Sequence, residues 1–154
     1  MEYAWLAIGL PLLGSIINGI FGRFLPKKVV GWIACSAIGA SFIVSLLVFL
    51  KMLGLAEDGR HIVSTLYTWI DSGGFRADMA ILIDALSVTM MLVVTGVGLL
   101  IHIYSTGYMA DDEGFSRFFA YMNLFVGSML LLVMAENFVL LFVGWELVGI
   151  CSYL

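Results

Sequence analysis

Five long apolar runs, each about as long as a bilayer is thick, constrain this chain more than any other feature. A helix needs roughly 20 mostly apolar residues to cross a hydrocarbon core about 30 Å thick, because each residue advances only about 1.5 Å. Residues 3–21, 29–50, 84–109 and 115–135 meet that requirement, and each ends in a polar or Gly/Pro-containing segment. A fifth run, 137–154, reaches only about 25 Å, slightly short of a crossing. It is still apolar at Leu154, so the sequence reads as the start of something longer. With 62% hydrophobic and 12% charged residues, the 154-residue chain has the bilayer, not water, as its solvent. The expected fold is an all-α integral membrane protein of four complete transmembrane helices and a truncated fifth, a single transmembrane domain over 1–154.

The aromatic residues support these limits. Tyr3 and Trp5 open the first run, Trp32 lies near the start of the second, and Tyr104 and Tyr108 lie late in the third, where interfacial belts form. Small residues recur four apart, Ser15 and Gly19 in helix 1 and Gly31, Cys35 and Gly39 in helix 2, which lets helix backbones approach closely. Pro11 removes one backbone donor inside helix 1 and is expected to kink it. The connection between helices 2 and 3 is too long and too varied to be featureless. Within it, 61–70 is β-branched and aromatic, Asp71-Ser72-Gly73-Gly74 is turn chemistry, and 75–83 is a second extended stretch, so a β-hairpin over 61–83 on the membrane surface is predicted.

The charges exclude several function classes. A net charge of -4 without a basic patch sets nucleic acid aside as a partner. Cys35 and Cys151 both lie in apolar runs, where a thiol behaves as a small hydrophobe, so neither a disulfide nor a metal site is expected. The N-terminus has no basic n-region and no cleavage site, so the first run is expected to be retained. Arg23, Lys27 and Lys28 in the helix 1–2 loop place that loop in the cytoplasm by the positive-inside rule, which puts the N-terminus and the hairpin outside.

No phosphate loop, ligand cluster or nucleophile–base pair appears, so chemistry rests on ionisable groups at membrane depth. Glu146 stands out: nine residues after Asn137, it lies about 14 Å into its helix, near the bilayer midplane, without a charge among its sequence neighbours. An ionised carboxylate there costs on the order of 3 kcal/mol, so it is expected to face the bundle interior, a partner or water, and to exchange protons. His102, late in helix 3, is read as close to the interface, where a histidine is cheap. Asp84 opens helix 3 as a cap, while Arg117 and Glu136 bracket helix 4 as interfacial anchors. Ser87, Asn123 and Ser128 are mid-helix polar groups able to bond across helices.

The string DALSVTMMLVVTGVGLLIHIYSTGYM from Asp84, followed by RFFAYMNLF and GWELVGICSYL, resembles the N-terminal part of subunit L of bacterial respiratory complex I, the proton-pumping NADH:quinone oxidoreductase, called subunit 5 in mitochondria. The resemblance implies an antiporter-like fold in the bacterial cytoplasmic membrane and a place among other membrane-arm subunits. It implies proton translocation coupled to electron transfer, with no cofactor in this chain and flavin, iron–sulfur clusters and quinone held by other subunits. The family's helix-5 glutamate falls on Glu146, with His102, Asp84, Ser87 and Arg117 as possible supporting polar residues. The large subunit of Mrp-type cation/proton antiporters shares these helices and a comparable GWE motif, and forms the alternative reading. A small structural or assembly membrane protein, complete as it stands, is the third.

Overall fold

The computed structural model describes residues 2–56 and 59–154. Five α-helices follow one another: α1 (Trp5–Phe21), α2 (Lys27–Leu53), α3 (Ala85–Tyr108), α4 (Phe115–Met134) and α5 (Phe138–Tyr153). A hairpin of β1 (Ile62–Ser72) and β2 (Phe75–Ile83) separates α2 from α3. Short 3-10 turns, Glu2–Ala4 and Gly22–Phe24, flank α1, which runs unbroken through Pro11. The first four helices are long and apolar enough to span a bilayer, whereas α5 has 16 residues. The chain therefore has the build of a multi-pass membrane protein.

Local chemistry sets the ends. Pro26 precedes α2 in an extended conformation, which starts the helix at Lys27, two residues before the apolar run, and Gly54 closes it after Leu53. Asp84 caps α3 reciprocally: the Ser87 amide donates to Asp84 Oδ1 at 2.7 Å and the Asp84 amide donates to Ser87 Oγ at 2.9 Å. The Asn137 side chain caps α5 by accepting from the Leu140 amide at 3.0 Å. In the hairpin the turn is narrower than the sequence suggests. Gly73 and Gly74 both take positive φ, +56° and +92°, as a two-residue hairpin turn requires, so Asp71 and Ser72 stay paired in β1, with Ser72 opposite Phe75. Arg76 pairs with Asp78 at 3.0 Å and donates to Thr68 Oγ1 across the strands at 3.1 Å. The Thr68 hydroxyl and the Arg76 guanidinium together hold the Asp78 carboxyl below the usual carboxylate range.

Sequence neighbours pack, but the bundle also closes through a pairing distant in sequence, α1 against α4. Their antiparallel seam runs from Leu12 beside Gly127, through Gly14 beside Asn123 and Gly19 beside Ala120, to Gly22 beside Ser116. A Cβ on Gly14 would collide with the Asn123 amide and stand 2.8 Å from Ala37 Cβ, so the missing side chain is what lets three helices meet. Gly31 and Gly39 of α2 meet Thr106 and Leu99 of α3, as the small-residue stripe predicts. Ser41 Oγ of α2 donates to the Ala7 carbonyl of α1 at 2.6 Å, an interhelical bond worth about 0.6 kcal/mol in a membrane.

The hairpin does more than lie on the surface. Ala77, Ala80, Ile81 and Ile83 of β2 are buried, and Ile81 bridges to Ala135 at the end of α4. The Glu136 amide donates to the Ala80 carbonyl at 3.2 Å, and Asn137 Nδ2 donates to the Asp78 carbonyl at 2.7 Å. The α4–α5 junction is thereby tied to β2, which fixes where α5 starts. At the opposite end of the bundle, Lys27 Nζ donates to the Ala110 carbonyl at 2.8 Å, Trp32 is 78% exposed, and the Tyr104 and Tyr108 rings stack at 5.8 Å. A cation tied to a helix C-terminus beside exposed aromatic rings is the composition of a membrane interface.

Candidate functional site

Glu146 of α5 and His102 of α3 are ionisable groups set away from the ends of their helices, and they differ in kind. Glu146 lies in the middle of α5, about 12 Å from its first residue. It is exposed, while Gly144 is buried against α4. Residues two apart on a helix are separated by about 200°, so a Gly144 that faces α4 turns Glu146 to the opposite side. α5 packs on α4 and β2, and no described element covers the Glu146 face. Phe142, Trp145 and Ile150, also exposed, surround that face with apolar surface. A carboxylate thus stands midway along α5 on a wall that the described helices do not enclose.

The second place is enclosed. The sequence puts His102 where water is near and burial slight, whereas the structure leaves the ring 0% exposed. The reason is lateral: distance along α3 from the loop measures depth, but the face of α3 that bears His102 is the one covered by α4. Its Nδ1 lies 2.7 Å from the Gly98 carbonyl and its Nε2 2.8 Å from Asn123 Oδ1 on α4. The Phe119 ring lies 6.0 Å from the imidazole, tilted by 54°. One turn beyond Gly14 on α1, the buried Asn18 donates through Nδ2 to the Val30 carbonyl of α2 at 3.3 Å. Asn18 Oδ1 and Asn123 Nδ2 have no hydrogen-bond partner among the described residues. α3 and α4 thus share one buried polar contact, and α1 and α2 share another.

The remaining sequence-selected residues fall outside both places. Ser87, expected in mid-helix, is instead the third residue of α3, where it and Asp84 satisfy one another in the cap, because the helix starts only at Ala85. Arg117 is exposed near the start of α4, beside Asp112, Tyr121 and Ser152 around a cavity of about 500 Å³. Glu136 is exposed at the α4–α5 junction, where it accepts from Asn137 Nδ2 at 3.2 Å. Ser128 donates to the Leu124 carbonyl of its own helix at 2.7 Å. Asn123 bonds across helices as expected. Asn18 escapes sequence reasoning, although Gly14, Asn18 and Gly22 form an i, i+4, i+8 stripe along α1 and the 3-10 turn after it that signals the α4 contact.

Comparison with known proteins gives a consistent result. The family described as NADH-Ubiquinone oxidoreductase (complex I), chain 5 N-terminus, matches residues 69–119. NADH-quinone oxidoreductase subunit L of Mycobacterium tuberculosis (strain ATCC 25618 / H37Rv) is 47% identical over 156 residues, covering 99% of this chain and 24% of the relative. The subunit L of Rickettsia conorii is 46% identical over 147 residues, with 96% and 22% covered. That of Escherichia coli (strain K12) is 40% identical over 154 residues, with 100% and 25% covered. The chain spans about a quarter of the length of these relatives. Among solved structures, a chain of the Mrp complex from Dietzia sp. DQ12-45-1b superposes with a TM-score of 0.75 at 24% identity, over 97% of this chain and 15% of that one. The Mrp likeness establishes the antiporter-like fold. The sequence likeness expected from GWELVGICSYL and RFFAYMNLF extends over the whole chain.

Proposed function

We propose, from a sequence that is similar along its whole length to the N-terminal quarter of NADH-quinone oxidoreductase subunit L, that this chain forms the N-terminal part of a proton-translocating membrane subunit of such an enzyme. The observation that carries the reading is 40–47% identity over 99–100% of the chain, far more than shared hydrophobicity alone requires. In this reading the chain binds no flavin, iron–sulfur cluster or quinone, and those groups belong to partner subunits. Its own contribution is Glu146, a carboxylate that exchanges protons inside the membrane. Further helices cover the exposed Glu146 face, and the resemblance implies that lysines on them modulate its charge. The partners are then other membrane-arm subunits, in the bacterial cytoplasmic membrane.

The test is purification of the tagged protein from its native membrane. We expect it to migrate on native gels with NADH:quinone oxidoreductase activity, and deletion of its gene to abolish NADH-driven acidification of inverted vesicles. The Mrp-type alternative, favoured by the fold likeness to the Dietzia complex, predicts instead a sodium-induced collapse of a preformed pH gradient without NADH. Migration apart from any NADH-oxidising activity, with such a collapse, would decide for the antiporter.

The reading also includes orientation. With Arg23, Lys27 and Lys28 cytoplasmic, the hairpin lies outside, and a Ser72→Cys variant, exposed beside the turn, should react with a membrane-impermeant maleimide in intact spheroplasts. Labelling confined to inverted vesicles would reverse the topology.

A further inference from the structure

Two ring nitrogens and one amide decide the chemistry of the enclosed cluster. The Gly98 carbonyl only accepts, so the Nδ1 that faces it at 2.7 Å carries a hydrogen whenever that contact holds. Nε2 faces the Asn123 amide at 2.8 Å, and the amide has two ends. With Oδ1 toward the ring, both nitrogens face acceptors and both must donate, which makes the ring an imidazolium. With the amide turned end for end, Nδ2 donates to a bare Nε2 and the ring is neutral. The two orientations of Asn123 therefore correspond to two charge states of His102.

The surroundings suit such a coupling. Asn123 is 0% exposed, so its amide has no solvent to compensate a mismatched orientation. Its outer end faces Gly14, whose missing side chain leaves the amide room. When Oδ1 faces the ring, Nδ2 is left without a hydrogen-bond partner among the described residues. The contacts of Gly31 with Thr106 and of Gly39 with Leu99 place the Cys35 thiol of α2 at the height of His102, the titratable group that α2 offers there. α1 presents Asn18, and α4 presents Asn123 and Phe119. Among the described residues no carboxylate, lysine or arginine pairs with the ring.

We infer that His102 is a second, enclosed proton-binding site, and that Asn123 is the positioning residue whose amide turns by half a rotation as Nε2 gains or loses its proton. On loading, an aqueous hydronium supplies the proton, the Nδ2–H to Nε2 bond breaks, and an Nε2–H to Oδ1 bond forms. The Nδ1–H to Gly98 bond persists, and the ring gains one positive charge. Charge-assisted bonds to Asn123 and Gly98, with the Phe119 ring beside them, stabilise that charge where no counter-ion stands. The inference does not rest on the role of Glu146, since these helices enclose His102 by themselves.

The test is nitrogen NMR of the protein in phospholipid bilayers, with 15N-histidine confined to residues 1–154, where His61 and His102 are the two histidines. His61→Gln identifies the His102 signals. We expect Nδ1 to remain pyrrole-type from pH 9 to pH 5, while Nε2 moves from pyridine-type to pyrrole-type within that range. Asn123→Leu, which removes the acceptor, should lose the Nε2 transition. Asn123→Asp, which supplies a fixed acceptor with negative charge, should shift the transition to higher pH by at least one unit. The Nδ1 signal reports in each variant whether the Gly98 contact, and with it the helix, is kept. A bare Nδ1 at any pH, an Nε2 that stays pyridine-type down to pH 5 in the wild type, or an unchanged transition in Asn123→Leu would overturn the site. None of these readouts involves redox activity or pumping, so a failure of the Glu146 reading would leave them distinguishable.

Discussion

Replacing Glu146 by Gln should reduce redox-driven proton pumping at least tenfold while leaving the assembled protein at wild-type abundance. The substitution preserves side-chain length and hydrogen-bonding capacity and removes only titration, so it separates a proton carrier from a polar packing group. The expected magnitude follows from position. A mid-membrane carboxylate costs on the order of 3 kcal/mol to keep charged, and a group held under that cost gives up or takes a proton when a neighbouring charge moves. Exposure on the face opposite Gly144 adds a second expectation: the substitution breaks no hydrogen bond among the described residues, so the helices here lose no packing. Glu146→Asp keeps titration at a displaced position and should retain part of the activity. Dye-reported acidification of inverted vesicles, normalised to assembled protein on native gels, gives the comparison. Undiminished pumping by an assembled Glu146→Gln protein would leave Glu146 as a polar wall residue and no more.

What could be read in the sequence, and what could not, divides along one physical line. Properties that depend on position along the chain were legible. The four spans are visible because hydropathy averages over a length that the bilayer fixes, and the hairpin because turn chemistry at Gly73 and Gly74 interrupts two β-prone stretches. Asp84 announces itself as a cap, and the place of Glu146 midway along α5 is a matter of counting residues. Properties that depend on which face meets which neighbour were not. The burial of His102 required knowing that α4 covers its side of α3, and depth counted from the loop gave the wrong environment. The α1–α4 seam joins segments roughly a hundred positions apart, so no local pattern in either names its partner. The outward direction of Glu146 became a deduction only once Gly144 was seen against α4.

That contact supplies the other large effect. Gly144→Ala should detach α5 from α4, with a loss of roughly 3 kcal/mol at the upper end of what overpacking costs, whereas Gly149→Ala on the same helix should leave the α4 contact intact. A Cβ on Gly144 would stand 2.7 Å from the Leu132 amide nitrogen and 2.8 Å from Leu132 Cα. Those are backbone atoms of a continuous helix and cannot swing aside. By contrast, a Cβ on Gly127 meets first the Leu12 side chain at 2.7 Å, which has rotamers available, so Gly127→Ala should be the milder of the two. At Gly149 nothing among the described residues lies within 4 Å, so a Cβ there meets no part of α4. Since Asn137 and β2 pin the start of α5, a displaced Gly144 must tilt the rest of the helix about that anchor and carry Glu146 with it. Gly144→Ala should therefore lower both the assembled amount and the pumping per assembled molecule, whereas Glu146→Gln lowers the second alone. A disulfide between cysteines placed at Leu132 and Val143 measures the contact directly. Equal cross-linking in the Gly144→Ala and Gly149→Ala backgrounds would show that α5 yields without cost and that its seat on α4 does not fix the carboxylate.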